Sequence, residues 1–479
     1  MAWYVGRVLA WLGLAGLVLA LALQHAAVHE FFFRSEVVEA DEDVTLFPTI
    51  ARFVYDPSSP PSTASSSSSS RSHLKSKLYK KSANSEKIAN DMVDPAEGAV
   101  GQTEAAADLT SNSYLDECER LFVRAGIHGC IYEEEAGDYF NWALMKLAGL
   151  LAHRYDYTDA LENPLFRHRL SRFLVDNEGS KRVTVYFPLT NGSFARYPLS
   201  RLSATNGHFE DQIVLDVGCA GSEGQQQDDG RGVPVIEDFD GLKRIRYFVL
   251  SQDNRTFHGH SFLVEEEGIS FISDIDDTIK VTGVTNGNVL FENTMLNEFA
   301  FVKGMNHLYN HWKTKYTQLG HHVQFHYVSG GPWQFYPVLQ EFLHSAEASF
   351  PEGTWHLNQI FRDLASFMTF IRSPLIFKVE VIKPLIASFP HRKFVLVGDD
   401  GQQDPEVYAE IAQEFPDQVL HIFIHHVNGT NEADGVTSYS VAEPGLQRCQ
   451  KAFAHLPANK WTLFSDAQLD TLDDQEFAL

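Results

Sequence analysis

The strongest constraint on the fold is an alternation of strand and helix patterns that begins at Gly268 and continues to about residue 430. Apolar runs typical of buried strands occur here in turn with segments whose apolar residues recur at helical spacing. This alternation predicts an α/β unit with a parallel sheet and crossover helices. The predicted strands are 269–276, 321–330, 393–400 and 418–427, and the predicted helices are 297–316, 332–345, 377–389 and 405–415.

Polar residues collect where three of the predicted strands end. Asp274 and Asp276 come at the end of the first strand, Ser329 at the end of the second, and Asp399 at the end of a later one. In open parallel sheets the ligand site lies outside the carboxyl ends of the strands, so we expect these side chains to converge.

These residue types suit phosphoryl transfer. Unpaired carboxylates beyond a buried strand cost several kcal/mol each, and a divalent cation relieves that cost. One carboxylate can form an aspartyl-phosphate and a second can protonate the departing oxygen, while Lys378 can stabilise the developing negative charge. Each feature alone has an ordinary explanation, such as an Asp-rich turn, a solvated lysine, or Asp404 as a helix N-cap before Pro405. Their occurrence together in this order favours a Mg²⁺-dependent site.

Three stretches of the chain resemble a known enzyme family. They are SDIDDTIKVTGV (273–284), FHYVSGGPWQFYPVLQEFL (325–343) and FPHRKFVLVGDDGQQDPEVYAEIA (389–412). They are similar to the catalytic domain of the actin-patch-type phosphatidate phosphatases, within the haloacid-dehalogenase superfamily, over about residues 268–430. The resemblance implies a Rossmann-like parallel sheet of the haloacid-dehalogenase type. It also implies Mg²⁺-dependent hydrolysis of phosphatidate, a lipid phosphate at a membrane surface, to diacylglycerol and phosphate.

The resemblance assigns the chemical steps to the first motif. Asp274 is implied to be the nucleophile and a Mg²⁺ ligand. Asp276 is implied to be the general acid, then the base for water, and a further metal ligand through its backbone carbonyl. Thr278 is implied to lie in the loop that holds Asp276 in place.

The later motifs are implied to bind the phosphoryl group and the metal. Ser329 would hydrogen-bond the phosphoryl group, and Lys378 would stabilise both that group and Asp274. Lys383 is a rival to Lys378, five residues further on. Asp399 and Asp404 would hold Mg²⁺ directly or through water.

Two positions depart from the family pattern. Asp400 stands where the family commonly has Ser, and Gly331 stands where a small polar residue is common. The extra charge of Asp400 near the metal is expected to change metal affinity or substrate choice.

The N-terminal region predicts entry into the secretory pathway. Residues 8–23 form an unbroken apolar run after Arg7, which is typical of a cleaved signal peptide or an uncleaved signal anchor. The acidic residues after this run predict that the rest of the chain is lumenal or extracellular, either secreted or membrane-anchored. Sequons for N-glycosylation at Asn191, Asn254 and Asn428 agree with this prediction.

The four cysteines leave two interpretations open. One of three possible disulfide pairings joins Cys118 to Cys130 and Cys219 to Cys449. The alternative is that these residues are reduced, buried thiols.

The rest of the chain divides by composition and periodicity. Residues 138–153 have helical spacing, and strand patterns follow from about residue 166 to residue 267. The predicted domains are 1–27, signal peptide or anchor; 28–110, a disordered Ser/Pro-rich and basic linker; 111–267, a helical segment and a β-rich, sandwich-like accessory domain; 268–430, the catalytic domain; and 431–479, an acidic tail.

The charge balance excludes one class of partner. The chain has 38 Lys and Arg residues against 63 Asp and Glu residues, a net charge of −25. That balance argues against general nucleic-acid binding, which requires basic side chains to displace counterions from phosphates. Two functional alternatives stay open beside a phosphatidate phosphatase. One is a phosphatase for a soluble phosphomonoester or a phosphoprotein, and the other is a non-catalytic secreted interaction protein on a phosphatase fold.

Overall fold

The computed structural model describes residues 37–54, 120–134, 162–219, 232–359, 375–427, 445–472 and 477. These residues form a ten-stranded mixed sheet and a six-stranded parallel sheet with helices. The architecture is therefore mixed α/β, and the predicted parallel sheet is confirmed.

The ten-stranded sheet comes first in the chain. Its main strand order is β1-β3-β2-β10-β9-β5-β6, with β4 and β7 paired to β3, and β8 paired to β9. All pairs are antiparallel except β2 with β10. The strands are β1 (Glu42–Leu46), β2 (Thr49–Val54), β3 (Arg120–Glu134), β4 (Val175–Asn177), β5 (Thr184–Pro188), β6 (Phe194–Pro198), β7 (His208–Cys219), β8 (Ile236–Phe239), β9 (Leu242–Leu250) and β10 (Thr256–Leu263), with helix α1 (Pro164–Ser171) before β4.

The parallel sheet follows from Ile269 onward. Its strands are β11 (Ile269–Ser273), β12 (Val323–Pro332), β13 (Gly353–Asn358), β14 (Lys393–Asp399), β15 (Val419–His425) and β16 (Trp461–Phe464). Its helices are α2 (Gly287–Phe291), α3 (Met305–Gln318), α4 (Tyr336–Leu343), α5 (Leu375–Ala387), α6 (Asp404–Glu414) and α7 (Gly445–Ala452). A π-helical turn, Glu292–Leu296, continues α2, and 3₁₀ turns cover Trp333–Phe335, Ala458–Lys460 and Asp466–Thr471.

The order of the parallel strands fixes where a site can form. Across the sheet the order is β13-β12-β11-β14-β15-β16, and every neighbouring pair is parallel. Numbered by their order in the chain, these strands have the order 3-2-1-4-5-6, which is the doubly wound order. In it, successive strands are added on one side of the first strand and then on its other side. All five residues of β11 are buried, because packed side chains cover both faces of the sheet. The crevice for a ligand lies where β11 and β14 end.

Several predicted boundaries differ from the structure. Strands β1 and β2 lie inside 28–110, so the prediction of a disordered linker is wrong for residues 42–54. Likewise α7 and β16 lie inside 431–479, so this segment is not only an acidic tail. The other boundaries stay predictions. The predicted helix over 138–153, the apolar run over 8–23 and the sequon at Asn428 lie outside the described residues. Among the residues that are described, no helix is long and apolar enough to cross a membrane.

The described cysteines do not form the suggested disulfide pairing. Cys130 on β3 and Cys449 on α7 are both free thiols. Burial raises the pKa of each thiol to about 12, so both are protonated at neutral pH. This agrees with the alternative of reduced thiols for these two residues.

A buried arginine joins the two sheets. Arg392, fully buried before β14, donates five hydrogen bonds of 2.6–2.9 Å. Two of them reach the connection between β10 and β11, so the guanidinium fixes where the parallel sheet begins. The acceptors are the Ser270 hydroxyl and the carbonyl oxygens of Glu265, Glu267, Ile269 and His322.

The Arg392→Met substitution is expected to lower the free energy of unfolding by about 3 kcal/mol or more, because it leaves several buried acceptors without donors. Chemical denaturation measures the effect. Lys393→Met is the matched control, since the Lys393 ammonium contacts one exposed carbonyl, that of Asp417, and should change stability by less than about 1 kcal/mol. Equal stability of the two variants would contradict this account of Arg392.

Candidate active site

Three carboxylates and one ammonium group meet where β11 and β14 end. Asp274, Asp399 and Asp404 each offer a carboxylate oxygen within 4.8 Å of the others, and all three residues are buried. The Lys378 ammonium lies 2.7 Å from Asp274 Oδ1 and also contacts Asp404 Oδ1. Four of the residues singled out from the sequence therefore share one cluster.

Local backbone structure sets the position of each acid. The Asp274 N–H donates to Val397 O at 2.9 Å, which extends the pairing of β11 with β14 by one residue. Asp404 opens α6, and its Oδ2 accepts from the Asp399 N–H at 3.2 Å. Glycine is required at position 398, because a Cβ atom there would lie 2.2 Å from Asp404 Oδ2.

The cluster carries more negative than positive charge. Burial, and after it the charges of Asp404 and Asp276, raise the pKa of Asp274 to about 8, although Lys378 acts in the opposite direction. Burial and the neighbouring carboxylates also raise the pKa of Asp399 well above its usual value. For Lys378, burial lowers the pKa, but Asp274 and the other acids raise it by more. The ammonium group therefore stays charged. Three ionised carboxylates would leave two negative charges unbalanced.

A hard divalent cation fits this set of atoms. Asp399 Oδ1 accepts from the N–H groups of Gly401 at 2.7 Å and Gln402 at 2.9 Å. By contrast, Asp399 Oδ2 is buried and has no hydrogen-bond partner among the described residues. Carboxylate oxygens are the ligands that Mg²⁺ and Ca²⁺ prefer, so this cluster can accept such an ion.

Asp276 lies beside the cluster in its own network. Its Oδ1 accepts from Lys280 Nζ at 3.2 Å and from the Thr282 hydroxyl at 2.8 Å, and its Oδ2 accepts from the Ser329 hydroxyl at 3.0 Å. Burial opposes ionisation, but Lys280 and these hydrogen bonds together hold the pKa of Asp276 below its usual range. The structure therefore places Asp276 and Ser329 together, with Asp276 ionised.

Thr278 lies in the loop after Asp276 but contacts Asp274. Its hydroxyl donates to Asp274 Oδ2 at 3.3 Å, and the side chain is fully buried. Asp276 itself is held by two later residues of this loop, Lys280 and Thr282, which the motifs alone do not single out. The i,i+4 spacing of Asp276 and Lys280 was the available signal.

The loop after Asp276 is fixed by Asp277. This residue has a φ of +57° and its carboxylate accepts three backbone N–H groups, those of Thr282, Gly283 and Val284, at 2.6–2.7 Å. The three bonds hold the chain as a tight turn over Asp276. The role of Asp277 in the structure is therefore to shape this loop.

Three further residues from the sequence analysis lie apart from the acidic cluster. Lys383 pairs with Glu410 and Glu414 at 2.6 Å on the exposed side of α6, so it is not placed to serve in the site. Asp400 accepts from His426 and from the Val427 N–H instead of facing the three carboxylates. The Gly331 N–H donates to Ser329 Oγ at 2.9 Å and so helps to orient that hydroxyl.

Comparison with known proteins agrees with the motifs. Residues 269–426 match the family described as phosphatidate phosphatase APP1, catalytic domain. Phosphatidate phosphatase APP1 of Saccharomyces cerevisiae is 37% identical over 164 residues, which are 34% of this chain and 26% of that protein. An uncharacterized protein of Schizosaccharomyces pombe is 29% identical over 256 residues, which are 50% of this chain and 39% of that protein. The family resemblance stated from the motifs is thus confirmed for this segment.

The extent of these similarities is limited. The chain spans about a quarter of the length of the first relative and about two fifths of the second. A solved sialyltransferase structure from Photobacterium damsela has a TM-score of 0.21 and 9% identity, covering 53% of this chain and 52% of that one. A likeness at that level carries no argument about this chain.

Proposed function

We propose that this chain is a Mg²⁺-dependent phosphatase that hydrolyses phosphatidate to diacylglycerol and phosphate, because residues 269–426 match the catalytic domain of the phosphatidate phosphatase family. The observation that carries the proposal is the meeting of Asp274, Asp399 and Asp404 with Lys378 where the parallel strands end. The 3-2-1-4-5-6 strand order, with Asp274 directly after the first strand, supports a sheet of the haloacid-dehalogenase type.

The buried carboxylates would hold the metal. Asp274, Asp399 and Asp404 supply side-chain oxygens, and the backbone carbonyl of Asp276 is the further ligand that the family resemblance implies. When bound, Mg²⁺ neutralises the non-bridging phosphoryl oxygens and orients the group for in-line attack. The orphaned Asp399 Oδ2 is the atom that most needs such a partner.

Asp274 is placed to act as the nucleophile. Lys378, at 2.7 Å, favours its ionised form and orients its carboxylate. An oxygen of Asp274 attacks phosphorus while the bond from phosphorus to the glycerol oxygen breaks, and Asp276 gives its proton to that oxygen. Lys378 then stabilises the negative charge that builds up on the phosphoryl oxygens.

Asp276 and Ser329 complete the cycle. In the second step Asp276 takes a proton from water, the water oxygen bonds to phosphorus, and the bond to Asp274 breaks to release phosphate. The lowered pKa of Asp276 means that its carboxylate is ionised after the first step and can accept this proton. For the acid step Asp276 must carry a proton. When the Ser329 hydroxyl turns from Asp276 to a phosphoryl oxygen, the carboxylate loses one hydrogen bond, and this loss favours its protonated form.

The proposal also covers the cellular location of the reaction. A lipid phosphate requires a membrane surface, and the apolar run over 8–23 with its acidic flank supports a lumenal or extracellular catalytic domain. The β-rich part before the catalytic domain is proposed as its accessory domain, now including β1 and β2.

The test is phosphate release by the purified full-length chain from phosphatidate in mixed detergent micelles, with Mg²⁺ and with EDTA. We expect release with Mg²⁺ and its loss with EDTA, because the buried carboxylates need a cation. A soluble aryl phosphate and a phosphoserine peptide test the alternative substrates. Preference for either one over phosphatidate would overturn the lipid assignment, and no release from any of the three would overturn the enzyme assignment.

A further inference from the structure

We propose that Arg448, on helix α7, is a positioning residue that holds the metal-binding loop between Asp399 and Asp404 in its working shape. Arg448 lies beyond the segment that matches the catalytic domain of the family, which ends at residue 426. The inference rests on the proposed Mg²⁺ site. It extends that site to a part of the chain that the sequence predicted as a tail.

The Arg448 guanidinium spans the loop. Its NH1 donates to Asp400 O at 2.7 Å, and its NH2 donates to Gln402 O. It also pairs with the Glu406 carboxylate in the first turn of α6, at 2.6–2.8 Å. The Arg448 side chain is only 15% exposed and its two carbonyl contacts are partly buried, whereas the Glu406 side chain is 43% exposed.

The contact with the Asp400 carbonyl acts on a group that holds Asp399. Asp400 C=O and Gly401 N–H are the two ends of one planar peptide group. That N–H donates to Asp399 Oδ1 at 2.7 Å, and the Gln402 N–H donates to the same oxygen at 2.9 Å. Arg448 therefore fixes the plane that presents the first N–H to Asp399, and it polarises the peptide so that this N–H is a stronger donor. With Oδ1 held in this way, Oδ2 is left for the metal.

The same loop is held from its other side by Asp400. Asp400 accepts from His426 Nδ1 at 2.5 Å and from the Val427 N–H at 2.7 Å, directly after β15. Helix α7 begins against it, because a Cβ atom at Gly445 would lie 1.9 Å from Asp400 Oδ2. Such close packing leaves α7 little freedom to shift, so the helix holds Arg448 at a fixed distance from the loop.

This arrangement gives Asp400 a different role from the one expected from the sequence. The sequence suggested that its charge acts on the metal, but its carboxylate is bound to His426 and Val427. The departure from the family pattern is better understood as an anchor for α7.

The test compares Arg448→Gln with two matched controls. Lys383→Gln removes a cation that pairs with later turns of α6, and Glu406→Gln removes the carboxylate partner but keeps both carbonyl contacts of Arg448. Mg²⁺ affinity is measured by titration calorimetry on the full-length chain. The Mg²⁺ concentration for half-maximal activity and the unfolding temperature in EDTA are measured beside it.

We expect Arg448→Gln to weaken Mg²⁺ binding by about 10- to 100-fold, with the same shift in the Mg²⁺ needed for activity. Both controls should keep the wild-type affinity. Arg448→Lys, which keeps the charge but not the planar fork, is the second variant and should weaken binding in the same direction with the fold intact.

Wild-type Mg²⁺ affinity in both Arg448 variants would overturn the inference while leaving the proposed function standing. A lower unfolding temperature without any change in Mg²⁺ affinity would also overturn it, because the role would then be structural only. Failure of the wild-type chain itself to bind Mg²⁺ would instead count against the proposed function.

Discussion

The Asp274→Asn variant is expected to release phosphate from phosphatidate at least about 10⁴-fold more slowly than the wild-type chain. An amide is not a nucleophile at neutral pH, so no aspartyl-phosphate can form. The substitution also removes one of the three clustered carboxylates and the partner that Lys378 contacts at 2.7 Å. Phosphate release at matched protein concentration, with saturating Mg²⁺, measures the loss.

The same variant should not be less stable than the wild type in EDTA. The raised pKa of Asp274 means that burial and neighbouring charges disfavour its ionised form. A neutral amide of nearly the same shape relieves that repulsion, so the unfolding temperature should stay level or rise. Asp238→Asn, at the exposed position of strand β8, is the control for loss of one carboxylate and should keep full activity. Equal phosphate release by the Asp274→Asn chain would contradict the proposed mechanism.

The parallel sheet could be predicted because its signal is local and strong. Runs such as 394–398 are apolar throughout, as expected for strands covered on both faces, and amphipathic helices lie between them. The place of the acids followed from one rule, since Asp274 and Asp399 each come at a strand end. The spacing of Lys378 before the FPHRKF stretch (389–394) favours it over Lys383, and the structure puts Lys378 against Asp274 and Lys383 on the surface.

Other parts of the site depend on contacts that a sequence does not display. Strands β1 and β2 are short and are separated from their partner β3 by more than sixty residues, so no local pattern joins them. Arg448 reaches the carbonyl of Asp400 across 48 positions, and its segment reads by composition as an acidic tail. The direction of the Asp400 side chain was equally hidden, because its partners, His426 and the Val427 N–H, are distant in the sequence.

Buried histidines make the fold sensitive to acid. Burial, the largest cause in every case, lowers the pKa of seven histidines, to values of about 3 to 4 for six of them and well below the usual value for His326. The others are His128, His208, His260, His322, His356 and His421. In the unfolded chain each would have a pKa near 6.5. The unfolded state therefore binds more protons than the folded state at these positions between about pH 6.5 and pH 4.

The free energy of unfolding should fall by at least about 3 kcal/mol between pH 6.5 and pH 5, measured by urea denaturation in EDTA. Each histidine whose pKa is lowered contributes about 1.4 kcal/mol per pH unit once the pH is below 6.5. The raised pKa values of Asp274, Glu352 and Asp399 act in the opposite direction, but these are three groups against seven. The stability is thus present above pH 6.5 and is lost as the pH falls towards the folded-state values.

A pair of variants separates this cause from general acid effects. His421 is 4% exposed and contacts the Thr462 hydroxyl at 2.9 Å, which a glutamine amide can also reach. His421→Gln should therefore reduce the slope of stability against pH by about 1.4 kcal/mol per unit. His307→Gln, at an exposed position of α3, should leave the slope unchanged. An identical slope in both variants would mean that carboxylate protonation, and not histidine burial, sets the acid limit of this fold.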